Sequence, residues 1–205
     1  MKLVELEKLV NKHSGEFFCT QIHNESATKL VPFKHIYDPP RALNEVLDIE
    51  KLNEFYETFG NLLMYFDEKS GDAALYIASP DQWVSLHSYF GDWLEGLEED
   101  ERDELLPEWI DNCLVIGEIP HSGNYILMPK SGEKTGYVYE FEHDGFEFIE
   151  LAKDIEEYIK TMLNLNSSGL TNIASHMRFI VDSPEVQWWI KELRDNTGNV
   201  VNTEA

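Results

Sequence analysis

Cationic side chains are scarce in this chain: 16 Lys plus Arg stand against 39 Asp plus Glu in 205 residues, a formal net charge of −23. Phosphate backbones and anionic membranes are bound by Lys and Arg that displace condensed counterions, so this balance disfavours direct contact with either. Cysteine is almost absent. Cys19 and Cys113 are the 2 present. They could form at most one bridge and show no CxxC pairing, which leaves neither a disulfide scaffold nor a zinc ribbon and fits a reducing cytoplasm. Apolar runs are short, as at residues 62–66, whereas a spanning helix needs ~20 apolar residues. Charges interrupt Met1-Lys2-Leu3-Val4-Glu5-Leu6-Glu7-Lys8, unlike the continuous apolar stretch of a secretory signal. The expectation is a cytoplasmic protein that is not integral to a membrane.

Bulky core formers are plentiful: 11 Phe, 9 Tyr and 5 Trp within a 42 % apolar composition. A disordered acidic tail would lack them, and a chain of this length can bury roughly 70 % of its unfolded surface. The charge is uneven. Residues 1–50 hold six basic and eight acidic groups, and residues 51–205 hold ten and 31, so −21 of the −23 lies in the later part.

Leu3, Leu6, Leu9 and Val10 have the spacing of a short amphipathic helix. Residues 16–37 read as two short strands or extended segments. Asp48 is placed to cap a helix over 49–59, and Gly60 to end it in the left-handed conformation. Residues 62–67 and 73–78 read as a strand hairpin. Ser79-Pro80-Asp81-Gln82 has the residues of a capping box with proline at the first helical position. The helix it opens carries Trp83, Leu86, Phe90, Leu94 and Leu97 and is expected to reach Leu97. Residues 113–119, 125–128 and 137–141 read as a meander, and Asp144-Gly145 as a tight turn returning into 146–149. A helix over 153–163, a polar linker, a strand over 177–181 and a last helix from Pro184 through Arg194 complete the pattern, with 196–205 expected to be a mobile tail. In the last helix the stripe Val186, Trp189, Ile190 and Leu193 faces inward, leaving Trp188 as the candidate exposed aromatic.

Chemistry-bearing motifs are missing. His13, His23, His35, His87, His121, His143 and His176 show no HxH, HExxH or Cys/His spacing, so no metal site is expected. His143-Asp144 matches the dipeptide of metal phosphohydrolases, but those carry it on a helix, and here a hairpin tip is the simpler reading. There is no Gly-x-Ser-x-Gly, and both cysteines sit in apolar surroundings that suit packing better than nucleophilic attack. Residues 92–111 contain ten acids and the single Arg102, and residues 140–157 contain eight acids and Lys153. Such runs are usually solvated faces, and less often binding surfaces. Calcium-loop order is absent. No catalytic residue, cofactor or metal ligand is assigned.

From Gly123-Asn124-Tyr125-Ile126-Leu127-Met128 through Gly136-Tyr137-Val138-Tyr139-Glu140-Phe141-Glu142-His143-Asp144-Gly145 to Leu151-Ala152-Lys153-Asp154-Ile155-Glu156-Glu157-Tyr158-Ile159, the sequence resembles the SUKH superfamily. That group takes in the yeast cell-wall-synthesis regulator Smi/Knr and many bacterial toxin-immunity proteins. Upstream, Phe55-Tyr56-Glu57-Thr58-Phe59-Gly60-Asn61 and Leu75-Tyr76-Ile77-Ala78-Ser79-Pro80-Asp81-Gln82-Trp83 look like its helix, glycine turn and strand-to-helix joint. The likeness spans 48–163. It departs from the pattern in having only Gly60 where a double glycine is common, and in a long acidic stretch over 95–111.

The resemblance implies an α+β domain with a mainly antiparallel sheet, helices packed against it, and no catalytic residues. Its structural motif residues here are Gly60, Trp83, Gly136, His143 and Gly145. Residues 1–47 are then an N-terminal helix and extended segments packed on the domain at 48–163, and 164–195 a C-terminal extension. Immunity relatives bind toxins, frequently nucleases with basic clefts. The expected partner is therefore a protein with a basic surface, met by Glu98, Glu99, Asp100, Glu101, Asp103 and Glu104 together with Glu140, Glu142 and Asp144. A regulatory interaction module of the Smi/Knr type is the alternative, and a hydrolase using His121, His143 or Asp144 a third.

Overall fold

A computed structural model describes residues 3–21, 23–41, 47–164, 188–195 and 200–202. The chain is α+β: ten strands form one sheet in the order β10-β9-β1-β2-β3-β4-β5-β6-β7-β8, and every described pairing is antiparallel.

Helix α1 (Val4–Lys12) buries Leu6 and Val10, with Leu3 just before it, and turns Leu9 outward. Strands β1 (Gly15–Gln21) and β2 (Asn24–Ile36) follow as a hairpin. The extended segments expected at 16–37 are thus members of the main sheet. Helix α2 (Glu50–Tyr56) buries Leu52, Phe55 and Tyr56. Asp48 does not cap it. Instead Asn53 Nδ2 donates to Leu47 O at 2.6 Å and Asn53 Oδ1 accepts from Leu47 N at 3.3 Å, clamping the approach. Gly60 also differs from expectation. Its φ is not positive, and it is glycine because a Cβ there would lie 2.3 Å from the Pro39 carbonyl oxygen.

Strands β3 (Leu62–Phe66) and β4 (Leu75–Ile77) pair as read from the sequence. Asp67 builds the connection by accepting from Lys69 N, Ser70 N and Ser70 Oγ. The Ser79–Gln82 capping box forms, but over a 3-10 turn, Pro80–Gln82, that leads into α3 (Trp83–Leu94). Trp83 Nε1 donates to Tyr56 OH at 3.3 Å, and that hydroxyl donates to Ala78 O at 2.7 Å, joining the start of α3 to α2 and to the end of β4. Helix α3 stops at Leu94, three residues short of the expected Leu97, and α4 (Glu99–Leu105) follows as a separate helix.

The meander is β5 (Cys113–Ile119), β6 (Asn124–Pro129), β7 (Val138–Glu142) and β8 (Glu147–Ala152). Gly136 has φ +82°, the left-handed region glycine favours. In the Asp144-Gly145 turn, however, the left-handed residue is Phe146, at φ +53°, and not Gly145. Helix α5 (Ile155–Leu163) opens on Asp154, whose Oδ1 accepts from Glu157 N at 2.8 Å.

Strand side chains alternate between two apolar clusters, as period-2 geometry requires of a sheet covered on both faces. Ile116, Ile126, Met128 and Val138 join the cluster that includes residues of α1, α2 and α5. Val115, Tyr125, Leu127, Tyr139 and Phe141 join the one with Leu86 and Phe90 of α3.

The C-terminal region departs most from expectation. Residues 188–194, expected in a helix, lie in β9 (Trp188–Asp195) against β1, and β10 (Val200–Asn202) pairs with β9 inside the segment expected to be a mobile tail. Trp188 is 7 % exposed, so it is not an outward anchor. The linker at 165–169, the strand at 177–181 and Ser183-Pro184 lie outside the described residues.

Candidate functional site

Helix α4 owes its existence to local capping and not to burial, for none of its residues is buried. Glu98 accepts from the first-turn backbone, and Glu98 N donates to Glu101 Oε2 at 3.0 Å, a capping box closed by two glutamates. Carboxylates in the first turn complement the positive end of the helix dipole, which gives Glu99, Asp100 and Glu101 a structural use. Asp103 and Glu104 have none. They lie toward the negative end and are four residues from Glu99 and Asp100, a like-charge spacing that costs roughly 0.2–0.5 kcal/mol per pair. Arg102 forms no ion pair with any of them; its Nη1 donates to Leu94 O at 2.9 Å. Among the described residues no ion pair neutralises Glu99, Asp100, Asp103 or Glu104.

The second acidic group is more committed. Glu140 Oε1 accepts from Asn124 Nδ2 at 2.8 Å, and Asn124 Oδ1 accepts from the His143 backbone N–H at 3.2 Å and stands 2.8 Å from His143 Nδ1. Glu142 accepts from the amides of Asp144 and Gly145 at 3.1 and 2.6 Å, closing the hairpin tip. Asp144 alone projects, its side chain 85 % exposed and one oxygen 3.0 Å from His143 Nε2. Glu140 and Glu142 therefore build the turn that presents Asp144. One donor atom from each of Glu142, His143 and Asp144 lies within 4.8 Å of the others, so these three could hold a metal ion, although both Glu142 oxygens already cap the turn.

His121 belongs to another contact, its Nε2 2.9 Å from Asp72 Oδ1. Both cysteines are buried. Burial pushes the Cys19 thiol up to about 12 and the Cys113 thiol up to about 11, far from the thiolate a nucleophile needs. A shallow groove of about 590 Å³ along α5, from Lys153 to Asn164, has neither histidine nor cysteine in its lining.

A feature that charge counting passes over is built from rings that flank α4 in sequence and line β7 and β8. Trp109, four residues beyond α4, packs on Tyr139 at 4.6 Å between ring centroids and meets Phe148 edge-on at 6.0 Å. Phe148 and Phe146 both pack on Phe141, at 5.2 and 5.1 Å. Trp93, at the end of α3, packs on His143 at 5.0 Å and Phe141 at 6.3 Å. The rings form a continuous belt from Trp93 to Trp109 across β7 and β8. The one sequence signal for it is the placement of both tryptophans inside the acidic run at 92–111.

Beside the belt, Lys134 Nζ lies 4.5 Å over the Tyr137 ring and 2.8 Å from Glu150 Oε2, which also accepts from Tyr139 OH at 2.9 Å. Among the described residues no helix is long and apolar enough to cross a membrane. No family model, curated protein or solved structure matches this chain.

Proposed function

We propose that this chain is a non-catalytic protein-binding domain of the immunity type, which captures and neutralises a toxin with a basic surface, a nuclease being the best fit, and needs no cofactor. The observation that carries this reading is the unneutralised charge of α4. Glu98 and Glu101 suffice to cap the helix, yet Asp103 and Glu104 add charge where the dipole and their neighbours oppose it. A cationic partner converts that internal repulsion into attraction. The resemblance of 48–163 to the SUKH superfamily supports the same reading.

A charge of −23 steers a basic partner from a distance and raises its association rate, an effect that weakens as salt shortens the screening length to about 3 Å at 1 M. Immobilised protein should retain a basic partner from native extract at low salt, release it as salt rises, and suppress its toxic activity on re-addition. Changing Glu99, Asp100, Asp103 and Glu104 to Lys spares the capping pair and should abolish retention. Undiminished retention by that variant, or a partner indifferent to salt, removes α4 from the binding surface.

A further inference from the structure

Helix α3 covers only part of its face of the sheet: its Phe90 meets Tyr125 of β6 and Phe141 of β7. Farther out, the rings over β7 and β8 come from a loop residue, Trp109, and a turn residue, Phe146, both half-buried like Phe148. Trp93 closes the other end of the belt and is 40 % exposed. An aromatic strip left half in water is what interface anchors look like before a partner covers them.

Beside the strip, the protein's own Lys134 shows a cation held by a ring and a carboxylate together. That ammonium sits over a ring and against a carboxylate, Tyr137 and Glu150, at the Trp109 end. At the Trp93 end an exposed indole packs on His143, whose Nε2 lies 3.0 Å from the projecting Asp144, so a ring and a carboxylate again flank one edge of the strip. No lysine or arginine pairs with Asp144 among the described residues. Arginine suits this arrangement better than lysine, because its flat guanidinium stacks on a ring while its N–H fork engages a carboxylate.

We propose that the belt from Trp93 to Trp109 is the docking face for the basic partner, which lays arginine side chains on the rings and against the carboxylates at their edges. The inference rests on the partner-binding function proposed above and specifies its surface and chemistry.

Arginine and lysine dodecapeptides titrated into the full chain at 150 mM salt test it, with Trp fluorescence as the readout. The arginine peptide should bind more tightly. Trp93→Ala should weaken it about 5-fold, within the range of a ring–cation contact, and weaken the lysine peptide less than 2-fold. Trp109→Leu should act alike, with its melting temperature checked because that ring also packs on Tyr139. Lys134→Ala frees that ring and carboxylate and should tighten arginine binding about 3-fold, whereas Lys8→Ala, which removes the same charge from α1, should not. Equal affinities for the two peptides, unchanged by the aromatic variants but reduced by the α4 reversal, overturn the belt and leave the electrostatic reading standing. If the α4 reversal is also silent, both fall. A dimer in sedimentation that Trp93→Ala dissolves would put a second copy of this chain on the belt and likewise overturn the proposal.

Discussion

His35 shows how much one buried ring can organise. Tyr65 sits at φ +55°, which takes its N–H out of the ladder, and His35 Nδ1 accepts that N–H at 3.0 Å. A backbone N–H can only donate, so the neutral His35 proton is on Nε2, directed at His13 Nδ1 2.7 Å away. Burial, and then the neighbouring His13, push the His35 pKa down to about 3, and burial lowers that of His13. In the unfolded chain both titrate near 6.5. The folded state thus refuses a proton that the unfolded state accepts. The stabilisation is complete above pH 6.5 and drains away as pH falls from 6.5 towards 3. Between pH 7 and pH 5 the His35 contribution should drop by roughly 2 kcal/mol. His35→Gln, which keeps an acceptor for Tyr65 and does not titrate, should flatten the fall in urea midpoint over that interval; a parallel fall would assign the acid sensitivity elsewhere. The sequence could not reveal this pair. A local signal such as Ser79–Gln82 was legible because both partners lie within one turn. His13 with His35, and Gly60 with Pro39, meet only through the fold.

At the scale of elements, β9 explains why a helix is the natural reading of its sequence. Cys19 pairs with Ile190 and Phe18 with Glu192, so Lys191 is an extra residue in a bulge. The buried side chains Trp188, Ile190 and Leu193 are therefore spaced two and then three apart, and the interval of three imitates a helical stripe. The meander has no bulge of comparable effect on its reading, and its strands fall close to where alternation and turn residues put them. For α4 the expectation of a solvated acidic segment captured the exposure but not a helix with its own cap. Glu104→Lys should strengthen that helix by about 0.3–1 kcal/mol, since it removes a charge the dipole opposes. Slower hydrogen exchange at the Leu106 amide, which bonds Arg102 O at 3.1 Å, would report it. The same substitution should weaken capture of a basic partner. If exchange is unchanged or faster, Glu104 does not oppose the fold, and its charge is no sign of a binding surface.

For the molecule as a whole, the excess charge implies that the native state is held together against its own field. Raising NaCl from 10 mM to 0.5 M shortens the screening length several-fold and should raise Tm, at roughly 2–4 °C for each kcal/mol of repulsion relieved. A falling Tm would mean that attractive pairs dominate instead, such as Lys51 with Glu156 at 2.7 Å and Glu54 at 3.2 Å, which join α2 to α5. The fold class was legible because alternation, glycine turns and caps are written locally. The strand order was not, because β1 lies between its sequence neighbour β2 and the distant β9. That placement has a consequence for synthesis. The β1–β2 hairpin leaves the ribosome early with the Gly15–Gln21 edge unpaired, and the strand that covers it begins at Trp188. At ~5–20 residues per second the wait is roughly 10–30 s. Throughout that interval the nascent chain carries an open edge, a ready template for pairing with another chain.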